Sequence, residues 1–182
     1  MSKSLKTIQT FAKIGKIIAN ICFIFSIIGA IGCLIAVSAI VGTKDLEFEG
    51  QTVVGLVEAT GINFVTTVFS CASAIVICIG SAIVAKLAVN YLSNELEDGT
   101  PFTYNGAKEL FRLGILSMAI PAGISVVLGI AFTVTKLFWP PLDESALIND
   151  SISITVGLML IIMSFVFKHG AELDEKIQNN IQ

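Results

Sequence analysis

Four long blocks of apolar residues without any Asp, Glu, Lys or Arg limit what this chain can fold into. The blocks are Ile17–Val41, Ile62–Ala85, Leu113–Thr135 and Ile152–Phe167. A helix needs roughly 20 apolar residues to cross about 30 Å of hydrocarbon, where every backbone polar group must be paired within its own segment. We therefore predict an all-α integral membrane protein, a four-helix antiparallel bundle with spans at 17–41, 62–85, 113–135 and 152–167.

Composition favours a single membrane domain over residues 1–182 rather than a soluble fold. Hydrophobic residues make up 54% of the chain and charged residues 14%, whereas charged residues reach about 25% in soluble domains. The fourth block has only 16 residues, but Lys168 directly after it can extend its amine to the lipid headgroups. The first block is longer than the core of a cleaved signal peptide, about 7–15 residues, so we expect it to remain as an anchor.

The basic residues are distributed unevenly between the two sides that four spans create. Two lie in the first and third connections, Lys44 and Lys136, and the other nine lie on the opposite side: Lys3, Lys6, Lys13, Lys16, Lys86, Lys108, Arg112, Lys168 and Lys176. Because Lys and Arg accumulate in cytoplasmic segments, we predict that both termini and segment 86–112 are cytoplasmic. The expected location is a cell membrane, namely a bacterial cytoplasmic membrane. The chain has no basic stripe, so we predict no nucleic-acid partner.

The polar segment 86–112 between the second and third spans predicts a cytoplasmic helical hairpin. Apolar residues continue at helical spacing beyond the second span, so that helix should extend into the segment. Gly99 can end it in a left-handed conformation, and Pro101 disfavours helix at the residue before it. Thr103 or Asn105 can then cap the next helix by accepting a hydrogen bond from a free backbone N–H.

Two short motifs resemble a known family. "LEDGTPFTYNGAKELFRLGIL" and, near the end, "FKHGAELDEK" are similar to small bacterial four-span membrane proteins, those of the domain of unknown function numbered 2975. That family tends to carry a Gly-x-Pro-Phe turn with an Asn a few residues on, and a Gly-x-x-Leu element after the last span. The matching positions here are Gly99, Pro101, Phe102, Asn105, Gly170 and Leu173. The resemblance implies the four-span topology and a loose association with small helix-turn-helix regulators, but no reaction.

These six positions are our candidate partner-docking residues. Phe102 has two interpretations: it covers the base of the bundle, or it forms one docking surface with the tail at 170–174. The predicted partners are the lipid bilayer and a protein, either a membrane or cytoplasmic protein or a second copy of the chain. We predict a partner-binding or regulatory membrane module; the alternatives are a small transporter or channel subunit and an envelope immunity or stress-protection protein.

Residues typical of catalysis are sparse, so we predict no enzymatic activity, no cofactor and no metal site. The four cysteines lie within the predicted spans without a C-x-x-C pair, where thiols behave as small hydrophobic groups. His169 is the only histidine. The spans also carry no ionisable residue of the kind that marks proton-coupled transport.

Two further predictions concern packing and the first connection. Small residues on the first span (Gly29, Gly32 and Ala36) and on the second (Ala74, Cys78 and Ala82) give small faces in our interpretation, which would allow close helix approach. In the connection at 42–61, apolar and charged residues alternate around Glu49-Gly50, so a short β-hairpin and an irregular loop are both compatible with the sequence.

Overall fold

The computed structural model describes residues 3–43, 47–48, 51–52, 54–55, 63–99, 102–139, 142 and 152–181. Its long helices are α1 (Lys3–Gly42), α2 (Phe64–Asp98), α3 (Tyr104–Phe138) and α4 (Ile152–Ile181). All four are long and apolar enough to cross a membrane. The predicted all-α class with four membrane-length helices is confirmed, while the limits of the spans within these longer helices stay predictions.

The turn between α2 and α3 is built by the residues that the sequence indicates. Gly99 has a φ of 75°, the left-handed conformation predicted for it, and its N–H donates to the Glu95 carbonyl at 3.1 Å. Thr103 caps α3, since its hydroxyl oxygen accepts from the Gly106 N–H at 3.0 Å. Of the two predicted caps the structure therefore selects Thr103, and Asn105 lies exposed in the first turn of α3.

The first connection contains a short strand pair. Strands β1 (Glu47–Phe48) and β2 (Gln51–Thr52) pair antiparallel, with Glu47 opposite Thr52 and Phe48 opposite Gln51. The alternating pattern thus produces a hairpin rather than an irregular loop. The turn residues Glu49-Gly50 lie outside the described part of the chain.

The residues form two compact units, and the first contains 1–24, 81–121 and 151–182. Its core is a buried cluster of Tyr91, Leu110 and Leu113, joined by half-buried residues that include Leu160 and Phe167. The cluster joins the end of α2, the start of α3 and the middle of α4. Tyr91 and Leu110 lie outside the predicted spans, whereas Leu113, Leu160 and Phe167 lie at or within their limits.

Neighbouring helices of this unit run antiparallel. Residues later in α1 contact residues earlier in the α2 segment, as in the pairs Gln9–Gly99, Gly15–Leu92 and Phe23–Lys86. From α3 to α4, the same order holds for Phe102–Gly170, Phe111–Phe165 and Gly114–Ile161.

The backbones of α3 and α4 approach each other closely at two glycines. A Cβ added at Gly114 would lie 3.0 Å from the Gly157 carbonyl oxygen, and one at Gly157 would lie 2.9 Å from the Gly114 carbonyl oxygen. Ser117 and Ser164 are buried beside the same two helices, and their hydroxyls donate to backbone carbonyls one turn back. The two glycines thus allow a contact that no larger residue would permit.

The second unit contains 25–80 and 122–150. Phe132 and Leu142 are buried in it against Val65 and Phe69, and the rings of Phe69 and Phe132 meet edge to face with centroids 5.7 Å apart.

The predicted contact between small residues of α1 and α2 is confirmed at Gly29 and wrong at Gly32. A Cβ at Gly29 would lie 3.2 Å from the Cys78 sulfur, whereas a Cβ at Gly32 would meet no atom within 4 Å. Gly32 follows Gly29 by three residues, which at 3.6 residues per turn places it about 60° around the helix from Gly29, on a side of α1 that is exposed.

Candidate functional site

Phe102 and Gly170 are brought together from the two motifs that are distant in sequence. Phe102, in the turn before α3, lies directly on Gly170 of α4, so that a Cβ at Gly170 would be 2.6 Å from the Phe102 Cδ1 atom. The Phe102 ring also meets Phe167 edge to face at 5.5 Å between centroids, a favoured geometry for aromatic pairs. We call the turn and the adjoining part of α4, residues 99, 102–105 and 167–173, the hairpin–tail surface.

The turn is also tied to α1. The Gln9 side-chain amide donates to the Gly99 carbonyl at 3.1 Å, and the Thr103 hydroxyl lies 3.4 Å from the Asp98 carboxylate. Contacts from α1 and α4 therefore hold the two sides of a turn that could otherwise be a loose connection. Pro101 of the Gly-x-Pro-Phe motif lies outside the described residues.

The outer part of the hairpin–tail surface is open. Phe102 is 38% exposed and Leu173 is 47% exposed, and Asn105 is exposed on the first turn of α3. A contiguous exposed apolar patch rimmed by polar residues is one feature that marks protein contact sites. Of the six candidate residues, the structure brings Phe102 and Gly170 into direct contact, places Gly99 in the same turn, and leaves Asn105 and Leu173 accessible.

A polar cleft between α2 and α3 was not predicted from the sequence. It has a volume of about 260 Å³ and contains Asn94, Glu109 and Arg112 beside Tyr91. The Asn94 amide donates to both carboxylate oxygens of Glu109 at 3.0 Å, which links the two helices. The sequence did contain a signal for this link. Asn94 and Glu109 are similarly far along the chain from the turn, and residues equally far from the turn of a helical hairpin lie opposite each other.

Tyr91 and Glu95 form a second polar pair on α2, past Lys86 and therefore outside the predicted span 62–85. The Tyr91 hydroxyl donates to the Glu95 carboxylate. Burial, and then the charge of Glu95, raise the pKa of the Tyr91 hydroxyl, so that it remains a hydrogen-bond donor. Burial also raises the pKa of the Glu95 carboxyl, while the hydrogen bond from Tyr91 acts in the opposite direction.

Groups able to carry chemistry are dispersed in the described part of the chain. No three His, Cys, Asp or Glu side chains gather there as a metal ion would require. His169 Nδ1 lies 3.8 Å from Glu172 Oε2 on the exposed side of α4. The four cysteines, all within α1 and α2, are not joined by disulfides.

No protein-family model, curated protein or solved structure matches this chain. The resemblance carried by the two motifs therefore stays a hypothesis, and the contacts described above are the basis for assigning a function.

Proposed function

We propose that this chain is a multi-pass membrane protein, without catalytic activity of its own, that binds a protein partner through the hairpin–tail surface. The four long apolar helices indicate the membrane. The observation that supports docking is the packing of Phe102 on Gly170, because it joins two otherwise separate motifs into one continuous surface.

The length of α2 and α3 also supports this proposal. Each helix has 35 residues, which at about 1.5 Å per residue is roughly 52 Å, against about 30 Å of hydrocarbon. A plain connection between neighbouring helices needs only about 2–8 residues. The two helices are therefore longer than crossing a bilayer requires. This extra length is expected if the helix ends and the turn present residues to a partner.

We place the hairpin–tail surface in the cytoplasm. Residues 1–24, 81–121 and 151–182, which make up the first unit, contain nine of the eleven Lys and Arg residues, and basic residues favour the cytoplasmic side. The partner is accordingly a cytoplasmic protein or the cytoplasmic part of a membrane protein. The resemblance noted above, with its association to small regulators, is consistent with the first of these.

Crosslinking in native membranes tests the proposal, with Leu173→Ala as the main variant. Leu173 is accessible on the surface, so its truncation should reduce the amount of crosslinked partner about tenfold, the effect of losing a strong contact residue, at unchanged abundance of the chain. Leu158→Ala is the matched control, since Leu158 is on the same helix and 53% exposed but lies within the predicted span. It should leave the crosslinks unchanged.

Phe102→Ala separates docking from bracing. In our proposal it also removes the partner while the chain keeps its abundance, although the lost packing on Gly170 and Phe167 lowers its thermal stability in detergent. If Leu173→Ala and Phe102→Ala both leave the partner bound, or if both only lower abundance, the surface is a structural brace and the docking proposal is wrong.

A further inference from the structure

A second cleft opens between the start of α3 and the middle of α4 in the first unit. Its volume is about 300 Å³. The small residues Ala107 and Ser164 are among its lining, and both are buried, at 4% and 3% exposed. Phe111 and Phe165 flank it as aromatic walls, edge to face at 5.9 Å between centroids. Small residues between bulky ones make a groove of this kind.

Two lysines on opposite helices give this cleft its charge. Lys108 from α3 and Lys168 from α4 both line it and are both exposed. Among the described residues neither amine lies within 4 Å of a carboxylate oxygen. Glu172, one turn from Lys168, lies near His169 instead. The hydroxyl-bearing Tyr104 also lines the cleft. The cleft thus presents two cations and a hydroxyl without an internal anion to neutralise them.

The cleft lies where both helices change from apolar to polar sequence. On α4 the uncharged block ends at Phe167, next to Lys168, and on α3 the uncharged block begins at Leu113, after Lys108 and Arg112. The aromatic walls are accessible, with Phe165 at 59% and Phe111 at 38% exposed. A water-soluble anion would use the amines alone, whereas a lipid would also cover the aromatic walls.

We infer that this cleft binds one phospholipid with an anionic headgroup. Its phosphate accepts hydrogen bonds from the Lys108 and Lys168 amines, and an acyl chain lies along the walls formed by Phe111 and Phe165. Basic pockets between membrane helices at the headgroup level recognise lipids in this way. The inference goes beyond partner docking and does not rest on it. Tyr104 and Lys168 belong to both the cleft and the hairpin–tail surface, but Phe102 and Leu173, whose substitutions test docking, do not line the cleft.

Native mass spectrometry of the purified full chain in detergent tests this inference. The probes are phosphatidylglycerol, phosphatidylcholine and water-soluble glycerol 1-phosphate. One phosphatidylglycerol should bind per chain, more tightly than phosphatidylcholine, and glycerol 1-phosphate should not displace it. The double variant K108Q/K168Q should bind phosphatidylglycerol about tenfold or more weakly, since it loses both charge-assisted hydrogen bonds, and K108R/K168R should retain binding.

K13Q/K16Q is the matched control, because it removes two lysines of the same unit that do not line the cleft. It should bind phosphatidylglycerol as the unsubstituted chain does. The inference is overturned if K13Q/K16Q loses as much affinity for phosphatidylglycerol as K108Q/K168Q does, which indicates general charge attraction. It is also overturned if phosphatidylglycerol and phosphatidylcholine bind with equal affinity. Displacement of the lipid by glycerol 1-phosphate at comparable concentration would identify a site for a soluble anion instead. Circular dichroism verifies that each variant remains helical.

Discussion

Gly99 and Gly170 are both required in the hairpin–tail surface, but for different physical reasons. Gly99 needs the backbone freedom of glycine, because its φ of 75° is costly for residues with a Cβ. Gly170 needs the absence of a side chain, because Phe102 occupies the space that a Cβ would take. The first requirement concerns the local chain conformation and the second concerns packing between α4 and the turn.

We predict that Gly99→Ala lowers the free energy of unfolding by about 1 kcal/mol, the cost of the left-handed conformation for alanine. Thermal unfolding of the purified protein in detergent measures the change. Gly99→Asn should cost less, since asparagine tolerates this conformation. Gly32→Ala is the control: a Cβ there meets no atom within 4 Å and alanine is the better helix former, so stability should not fall. An equal loss of stability in Gly99→Ala and Gly32→Ala would show that the left-handed conformation of the turn does not explain the requirement for glycine at position 99.

The turn shows how far individual residues could be predicted from the sequence. Gly99 and the Thr103 cap follow from local rules, because a glycine after acidic residues and a hydroxyl before a helix have few other roles. The contact of Phe102 with Gly170 was available only as a hypothesis, since nothing local indicates that two distant segments meet. The Asn94–Glu109 link was missed because each residue alone is typical of an exposed helix face.

Helices α3 and α4 cross closely at two glycines. Gly114 and Gly157 face each other closely enough that a Cβ on either would lie within about 3 Å of the other's carbonyl oxygen. Backbone atoms cannot rotate away as a flexible side chain can, so any larger residue must separate the helices. Small residues at such crossings let helices pack closely in a membrane, where burial of apolar surface gives no driving force between them.

We predict that Gly114→Ala and Gly157→Ala each lower the free energy of unfolding by about 1–3 kcal/mol, the usual cost of overpacking. Unfolding in a detergent series, followed by circular dichroism, measures this. Gly129→Ala is the control on the same helix α3, because a Cβ at Gly129 would meet no atom within 4 Å. If the control destabilises the chain as much as Gly114→Ala does, helix flexibility rather than the crossing explains the requirement for glycine.

The existence of the helices was predictable from the sequence, but their contacts were not. Uncharged blocks identify helices because the bilayer penalises unpaired backbone groups. The choice of which glycine meets which helix depends on the rotation of each helix, which the sequence does not display. For this reason the small-residue contact was correct at Gly29, wrong at Gly32, and not proposed at all for Gly114 and Gly157.

The distribution of charge over the two units bears on how the chain sits in a membrane. The stretches that form the first unit contain nine basic residues. Lys136, near the end of α3, belongs to the second unit. Lys136 lies with its amine 5.6 Å from the centre of the Phe132 ring, a cation–π distance. The seven acidic residues on each predicted side contribute little to orientation, so the basic residues determine it.

We predict the topology from this bias, and reporter fusions can measure it. A reporter enzyme that is active only outside the cytoplasm should be active when fused near Gln51 or Ser145, and inactive after Gly99 or Gln182. A second reporter, active only inside, should give the opposite pattern at the same four positions and controls for differences in expression. Because cytoplasmic docking requires the hairpin–tail surface to face inward, activity of the first reporter at Gly99 would exclude a cytoplasmic partner. It would leave the lipid cleft intact but place it in the outer leaflet.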